Sequence, residues 1–282
     1  MYTAQLDFDA LIKEDTPYFD LTAHVLGLED QMLKISYFTR EECRVCGTEE
    51  VREIFSRLRI RTEELLPSGS AAAPGSVLIS GVGRAADIHM AWKVGQNLLD
   101  HASGIATKAA GFVQIVHAVN RDVAVLTTRK IFPGTKSLSI KSILAGGAEP
   151  HRLGTSESIL VFPQQIRLMG GMDAFLKRIP QIRSQCCEKK IIVETEDAET
   201  AKLVLAAGAD GIQFEKLSPQ QLTGAVREVK KEFPSAVLLA AGGINESNAA
   251  AYAACGVHGL VTTSLYSAKP VDIGARLEAA EV

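Results

Sequence analysis

Residues 190–215, KIIVETEDAETAKLVLAAGADGIQFE, decide the fold of this chain. The apolar run at 190–196 predicts a buried strand, the pattern at 197–207 predicts a helix, and 211–215 predicts a second buried strand. A strand, a helix and a strand in direct succession are typical of parallel strands joined by a right-handed crossover. This stretch therefore predicts an α/β fold.

The same alternation continues on both sides of that stretch. The predicted strands are 123–128, 159–162, 190–196, 211–215, 237–241 and 259–263. The predicted helices between them are 137–144, 172–185, 197–207, 219–233 and 246–255. Six parallel strands are too few for a closed eight-stranded barrel, so the pattern favours an incomplete, open β/α barrel over a doubly wound sheet.

The first 120 residues follow a different pattern. A helical stretch is predicted at 49–65 and a strand at 76–83. Apolar residues recur at helical spacing over 85–119, but glycines interrupt the pattern, which predicts two helices with a bend. Helices and strands that do not alternate strictly predict an α+β region before the barrel.

Composition narrows the class of partner and the compartment. The chain has 282 residues and a net charge of -3, so no global positive field exists to attract nucleic acid. Residues 1–9 lack the basic and apolar blocks of a signal peptide, and the cysteine count of five is odd, so we expect the reducing cytoplasm. No apolar stretch approaches the roughly 18–20 residues of a membrane helix, which predicts a soluble protein without membrane insertion.

One cationic cluster follows an apolar run, and a second follows a glycine turn. Arg129 and Lys130 come directly after the predicted strand 123–128, and His151 and Arg152 follow a glycine turn. Sites in α/β folds lie where parallel strands end in loops, so we expect these side chains to converge. Guanidinium groups bind carboxylates and phosphates with two parallel hydrogen bonds. The sequence therefore predicts a pocket for a small anion with several charges.

Carboxylates follow two neighbouring predicted strands. Glu194 and Glu196 are two residues apart on a strand and should share a face, and Glu215 closes the next strand together with Lys216. Carboxylates at such a position can hold Mg²⁺ or stabilise a developing positive charge. A solvated strand end is the alternative explanation.

Glycines and a hydroxyl follow the last two predicted strands. Gly242 and Gly243 come after Ala241, and Thr263 ends the final strand. Bare amides and hydroxyls at adjacent strand ends can form a phosphate cup, as in barrels that bind phosphate with their last loops. A tight turn alone would also explain the glycine pair.

Together these motifs resemble the quinolinate phosphoribosyltransferases, also called nicotinate-nucleotide pyrophosphorylases. The resemblance spans nearly the whole chain, and the motifs occur in the family's order. They are Glu14-Asp15, Asp20-Leu21-Thr22, Ser103-Gly104-Ile105-Ala106-Thr107, Thr128-Arg129-Lys130 with Pro133-Gly134, Gly146-Gly147 with His151-Arg152, Glu194-Thr195-Glu196, Ala207-Gly208-Ala209-Asp210 and Gly242-Gly243-Ile244.

The resemblance implies a type II phosphoribosyltransferase. It implies an N-terminal α/β sandwich at 1–112, an open barrel domain at 113–268 and a C-terminal helix at 269–282 that packs back on the first domain. It also implies a homodimer with shared active sites. Phosphoribosyl pyrophosphate with Mg²⁺ would be attacked by a pyridine nitrogen, after which quinolinate loses carbon dioxide.

The resemblance also implies a role for each site residue. The catalytic residues would be Lys130, Glu194 and Glu215, and the two glutamates would also bind Mg²⁺. The acidic substrate would be bound by Arg129, His151, Arg152 and, from the second subunit, Lys93. The 5'-phosphate would be bound by Ala241, Gly242, Gly243 and Thr263.

Several positions depart from the family pattern. Trp92-Lys93 stands where the family has Glu-Arg, Phe162 where it has a lysine that helps bind quinolinate, Glu215-Lys216 where it has Asp-Asn, and Ala241 where it has Ser. These changes are similar to the ModD branch, whose members are provisionally named for molybdenum transport. Three hypotheses stay open: transfer to a different aromatic acid, transfer to quinolinate with Lys136 or Lys216 as the missing cation, and oxyanion binding without catalysis.

Overall fold

The computed structural model describes residues 1–280, which form two compact units. The first unit comprises Met1–Gly111, Ile131–Gly147 and the described residues from Leu265 onward. The second comprises Phe112–Lys130 and Ala148–Ser264. Residues 131–147 thus group with the first unit, whereas the sequence-based division at 113–268 assigned them to the barrel.

The helices of residues 1–280 are α1 (Phe8–Asp15), α2 (Leu21–Leu26), α3 (Thr48–Arg57), α4 (Ala85–Val119), α5 (Lys136–Ala145), α6 (Pro163–Leu168), α7 (Met172–Gln185), α8 (Ala198–Ala206), α9 (Pro219–Glu232) and α10 (Ala249–Ala253), with a 3-10 helix at Ser264–Ser267. None of these helices is long and apolar enough to cross a membrane.

The strands in the same part of the chain are β1 (Met32–Thr39), β2 (Cys43–Arg44), β3 (Arg61–Leu65), β4 (Ala71–Ala72), β5 (Val77–Arg84), β6 (Ala124–Thr127), β7 (Glu149–Pro150), β8 (Ile159–Val161), β9 (Ile191–Thr195), β10 (Gly211–Glu215), β11 (Val237–Ala241), β12 (Gly259–Thr262) and β13 (Ile273–Ala279).

The second unit is built on a seven-stranded sheet in the order β7-β6-β12-β11-β10-β9-β8. Every neighbouring pair in it is parallel, and the sheet curls into a half-barrel. The predicted open β/α barrel is therefore confirmed. The six strands expected from the sequence are present, and the seventh, β7, is too short to leave a periodic pattern.

The first unit is built on an antiparallel sheet in the order β13-β1-β5-β3, with α3 and α4 packed against it. Its core includes the fully buried Phe55 of α3, Tyr37 of β1, Ile79 of β5 and Ile88 of α4. The predicted α+β character is confirmed.

The prediction of a C-terminal helix at 269–282 is wrong for the described residues 269–280. Residues 273–279 form β13, which pairs with β1 in antiparallel register. Ile273, Ala275 and Leu277 alternate along this strand and contact the core of the first unit. That period of two is the mark of a half-buried strand. Glu281 and Val282 lie outside the described residues.

The helix expected at 49–65 is also wrong beyond Arg57. Leu58 ends α3, and Arg59 adopts a left-handed backbone conformation with φ of +57°. The Ile60 N–H then donates back to the Phe55 carbonyl at 2.8 Å, and β3 begins at Arg61. A reversal at a non-glycine residue gave no signal in the sequence.

The bend expected within 85–119 is absent, because α4 is one helix. Two of the glycines that suggested a break serve close packing instead. A Cβ at Gly95 would lie 2.6 Å from the Tyr37 hydroxyl, and a Cβ at Gly104 would lie 2.3 Å from the Lys269 carbonyl oxygen. Both distances are too short for a side chain, so glycine is required there for contact rather than for a turn.

A buried ion cluster lies within the first unit. The Lys141 ammonium is fully buried and donates to Glu49 Oε2 at 2.8 Å and to Glu50 Oε2 at 2.6 Å. Glu49 also accepts from the Ser68 backbone N–H at 3.1 Å. Burial raises the pKa of Glu49, but the hydrogen bonds from Lys141 and Ser68 outweigh it and hold that pKa at about 2.

Asp100 of α4 supplies a pH-dependent prediction. Its Oδ1 is buried without a hydrogen-bond partner among the described residues, and burial raises its pKa to about 6, against the opposing effect of the Ile273 backbone N–H. A carboxyl whose pKa is higher folded than unfolded stabilises the fold at low pH, and that contribution is lost as pH rises through about 6.

We therefore expect Asp100→Asn to raise the free energy of unfolding by about 1 kcal/mol at pH 8, a value discounted because the group is only half-buried. The gain should vanish below pH 3.8, the unfolded pKa of this carboxyl. Urea unfolding of both proteins at pH 8 and pH 3.5 measures it. A gain of equal size at both pH values would contradict this account.

Candidate functional site

The carboxyl ends of the barrel strands surround one cavity of about 680 Å³ within the second unit. Ten of the eleven predicted site residues line it; Lys93 does not. The ten are Arg129, Lys130, His151, Arg152, Glu194, Glu215, Ala241, Gly242, Gly243 and Thr263. The predicted convergence of these segments is confirmed. The strands that carry them all end at the same edge of the sheet, and they are β6, β7, β9, β10, β11 and β12.

One side of the cavity carries positive charge. The His151 N–H continues the β6–β7 ladder by donating to the Thr127 carbonyl at 2.9 Å, which places Arg152 next to it at the cavity wall. Burial lowers the pKa of His151, and the neighbouring Arg152 lowers it further. Burial also lowers the pKa of Arg152, with Arg129 as the second cause. Arg129, His151 and Arg152 all line this cavity, so one anion with several charges could contact more than one of them.

Two polar atoms on this side are unpaired. His151 Nε2 and Arg152 Nε are both buried and have no hydrogen-bond partner among the described residues. Within residues 1–280 the Arg152 guanidinium donates one long hydrogen bond, of 3.4 Å, to the Ser158 carbonyl. Buried polar groups are normally satisfied, so this wall is prepared to bind an oxyanion.

Two carboxylates, Glu194 and Glu215, line the same cavity as the cations. Burial raises the pKa of Glu194, the nearby Glu215 raises it further, and a hydrogen bond from Gln213 Nε2 at 3.0 Å opposes that rise. Glu196, which was expected to share the face of Glu194, is exposed beyond the end of β9 and does not line the cavity. The carboxylate pair is therefore Glu194 with Glu215, because β9 ends at Thr195 before a second residue of that face is reached.

The glycine loop after β11 forms a third wall. Gly242 has φ of +91°, and a Cβ there would lie 2.7 Å from the Lys216 backbone nitrogen, so only glycine fits. Thr263 lies beside it, held by a hydrogen bond of 2.8 Å between its hydroxyl and that of Thr128. Small residues and bare amides leave room for a phosphate group, as the sequence predicted.

Three lysines outside the cationic wall of Arg129, His151 and Arg152 have different positions. Lys216 lines the cavity, whereas Lys136 begins α5 in the first unit and is not in the lining. Lys93 lies on α4 over the Trp92 ring at 5.2 Å and donates to Gln96 at 3.1 Å. Its predicted role in a second subunit's site stays a prediction.

Gln213 and Leu160 also line the cavity, together with Phe162, and neither was predicted from the sequence. A signal for Gln213 was available. It is the polar residue two positions before Glu215 in the strand GIQFE, so it had to share the face of Glu215. Leu160 lies in a short apolar strand and gave no comparable signal.

Comparisons with known proteins assign the chain to a family. Residues 20–103 match the N-terminal domain of quinolinate phosphoribosyl transferase, and residues 105–276 match its C-terminal domain. A ModD protein from Rhodobacter capsulatus is 37% identical over 86% of this chain and 92% of its own length. A ModD protein from Escherichia coli O6:H1 is 32% identical over 99% of both chains. Both relatives are named as pyrophosphorylases on a provisional basis.

A solved structure gives the same agreement for the fold. The crystal structure of nicotinate-nucleotide pyrophosphorylase from Ehrlichia chaffeensis superimposes with a TM-score of 0.87 at 25% identity. The match covers 96% of this chain and 97% of that one, so it includes both compact units.

Proposed function

Because this chain belongs to the quinolinate phosphoribosyltransferase family, we propose that it transfers a phosphoribosyl group from phosphoribosyl pyrophosphate to an aromatic acid and releases pyrophosphate. One observation carries the proposal. A cationic wall (Arg129, His151 and Arg152), a carboxylate pair (Glu194 and Glu215) and a glycine loop line the same cavity. This reaction needs all three: cations for anions, carboxylates for a positive sugar carbon, and amides for a phosphate.

In the proposed reaction, a ring nitrogen of the acid bonds to C1 of the ribose as the bond from C1 to pyrophosphate breaks. The electron pair of that bond leaves with pyrophosphate. Glu194 and Glu215 would stabilise the positive charge that develops at C1, and Lys130 would stabilise the departing pyrophosphate. Arg129, His151 and Arg152 would hold the carboxylate of the acid, which orients its nitrogen toward C1.

The donor's 5'-phosphate would bind at Gly242, Gly243, Ala241 and Thr263. This assignment is supported by the left-handed Gly242, whose missing side chain keeps the loop open. We further propose that the protein acts as a homodimer in which Lys93 of a second copy adds a positive charge to the acid's site.

The residues present are suited to Mg²⁺. The nearby Glu215 helps to raise the pKa of Glu194, and a bound cation would favour the ionised form of Glu194. Mg²⁺ is commonly bound by one or two carboxylates together with substrate phosphates, so no third protein ligand is required. When bound, it would neutralise charge on the pyrophosphate.

The acceptor is proposed to be an acid other than quinolinate. Phe162 and Leu160 make part of the cavity wall apolar, so a second carboxylate placed there would be poorly neutralised. Lys216 favours quinolinate as the acceptor, since it lines the same cavity and its positive charge could neutralise a second carboxylate. Decarboxylation of the product would follow only if quinolinate is the acceptor.

The test is release of pyrophosphate. The protein is incubated with Mg²⁺, phosphoribosyl pyrophosphate and either quinolinate or one of a panel of aromatic monoacids. We expect release with at least one monoacid and little with quinolinate. Release with quinolinate alone would refute the altered acceptor but keep the reaction. No release with any acid, with thermal stabilisation by molybdate, would instead indicate an oxyanion-binding protein without catalysis.

A further inference from the structure

Gln213 lies on the floor of the cavity, in a layer that is otherwise mainly apolar. It is 5% exposed, and in the sheet it is in register with Glu194 on one side and Leu239 on the other. Leu239 packs with Val261 and Leu126 in a buried apolar cluster. An amide in such surroundings must find its hydrogen bonds in a few directions only.

The amide of Gln213 is half satisfied. Its Nε2 donates to Glu194 Oε2 at 3.0 Å, and this bond fixes which end of the amide faces the carboxylate. Its Oε1 is buried and has no hydrogen-bond partner among residues 1–280. Carboxylates that are ionised can only accept, so Glu194 cannot satisfy this oxygen.

We propose that Gln213 is a specificity-determining residue whose side-chain oxygen accepts a hydrogen bond from an N–H or O–H group of the bound ligand. The terminal torsion of a glutamine side chain is soft, so a small rotation can present Oε1 to a group on the cavity floor. A site that holds a buried acceptor discriminates against analogues that lack the matching donor, because binding them leaves the acceptor unpaired.

Two parts of the substrates proposed above could supply that N–H or O–H group. The choice of these two candidates rests on the proposed function. One is a hydroxyl of the ribose, and the other is an amino or hydroxyl substituent on the aromatic acid. Matched probe pairs separate them. Ribose 5-phosphate and 2-deoxyribose 5-phosphate differ by one hydroxyl, and aminonicotinates differ from methylnicotinates of the same ring position by a donor of nearly the same size.

The experiment measures the Kd of each probe by calorimetry for the wild-type protein and for Gln213→Leu. We expect the wild type to prefer the donor-bearing member of at least one pair by about five- to tenfold, the range of one neutral hydrogen bond. Gln213→Leu should reduce that preference to about one. Gln213→Met, which keeps the length of the side chain, guards against a packing defect, and the exposed Gln181→Leu on α7 is the control.

The responding pair identifies the source of the donor. The proposal is overturned if the wild type shows no preference in either pair, including the case in which no probe binds, or if the preference survives in both Gln213 variants. These measurements involve no turnover. A protein that releases no pyrophosphate but shows the preference would refute the proposed reaction and keep the role of Gln213.

Discussion

Replacing Arg152 by alanine is expected to weaken binding of the acidic substrate by roughly 30- to 3000-fold in Kd, equivalent to about 2–5 kcal/mol. The reason is the unpaired Arg152 Nε at the cavity wall beside His151 Nε2. Removal of the guanidinium leaves the substrate carboxylate facing a partly buried site with one strong donor fewer. The Kd of the accepted acid, or quinolinate if none is accepted, measures the effect.

The controls for this prediction separate binding from folding. Among the described residues Arg152 donates one long hydrogen bond, to the Ser158 carbonyl, so Arg152→Ala should unfold within a few degrees of the wild-type temperature. Arg152→Lys retains the charge without the two-pronged geometry and should lie between the two proteins in affinity. Arg167→Ala removes an exposed arginine at the end of α6 and should change nothing. Unchanged affinity in Arg152→Ala would rule out binding of the acid's carboxylate by the cationic wall.

The largest effect on stability is expected for Lys141→Met, which should lower the free energy of unfolding at pH 7 by about 3–5 kcal/mol. The fully buried Lys141 ammonium contacts both Glu49 and Glu50, so among the described residues its loss leaves Glu50 without a cation and Glu49 with only the Met1 N-terminal ammonium at 3.3 Å. Urea unfolding monitored by circular dichroism gives the value. Lys202→Met, which breaks a surface pair with Glu232 at 3.2 Å, is the matched control and should change stability by less than about 1 kcal/mol.

The pH dependence of stability in Lys141→Met separates a loss of charge pairing from a loss of packing. Glu49 has a folded pKa of about 2 against 4.5 for a free glutamate, so its stabilisation is present above 4.5 and is lost as pH falls toward about 2. The deficit of Lys141→Met should therefore shrink between pH 5 and pH 3. The combined change Lys141→Met, Glu49→Gln and Glu50→Gln removes the unpaired charges and should recover much of the loss at pH 7. A deficit that is constant with pH would mean that packing, rather than charge, is responsible.

The barrel could be predicted in detail because its signal is local. Val237–Ala241 and Met172–Gln185 have the same bounds in the structure as in the sequence pattern. Buried parallel strands are short apolar runs with a glycine or a charge at each end, and amphipathic helices lie between them, so each element is marked by its own residues. The convergence of Arg129 with Arg152 followed from the same regularity.

What could not be predicted depends on contacts between distant residues. Glu49 and Glu50 look like the solvated face of a helix in the sequence, and only the fold brings them against Lys141. The helix expected at 269–282 was implied by the family resemblance, whereas β13 depends on pairing with β1, which lies more than two hundred residues earlier. Gly95 and Gly104 looked like breaks in a helix, since sequence alone does not show which side chain approaches a glycine.

The pairing of β13 with β1 also constrains how the chain is made. A ribosome delivers residues 273–279 more than two hundred residues after residues 32–39, so the first unit cannot complete its sheet until residue 279 has been made. Until then the edge of β1 has backbone donors and acceptors without a partner, and such edges pair readily with other chains. Premature termination shortly before residue 273 would consequently give a nascent protein with a finished barrel and an open, aggregation-prone edge.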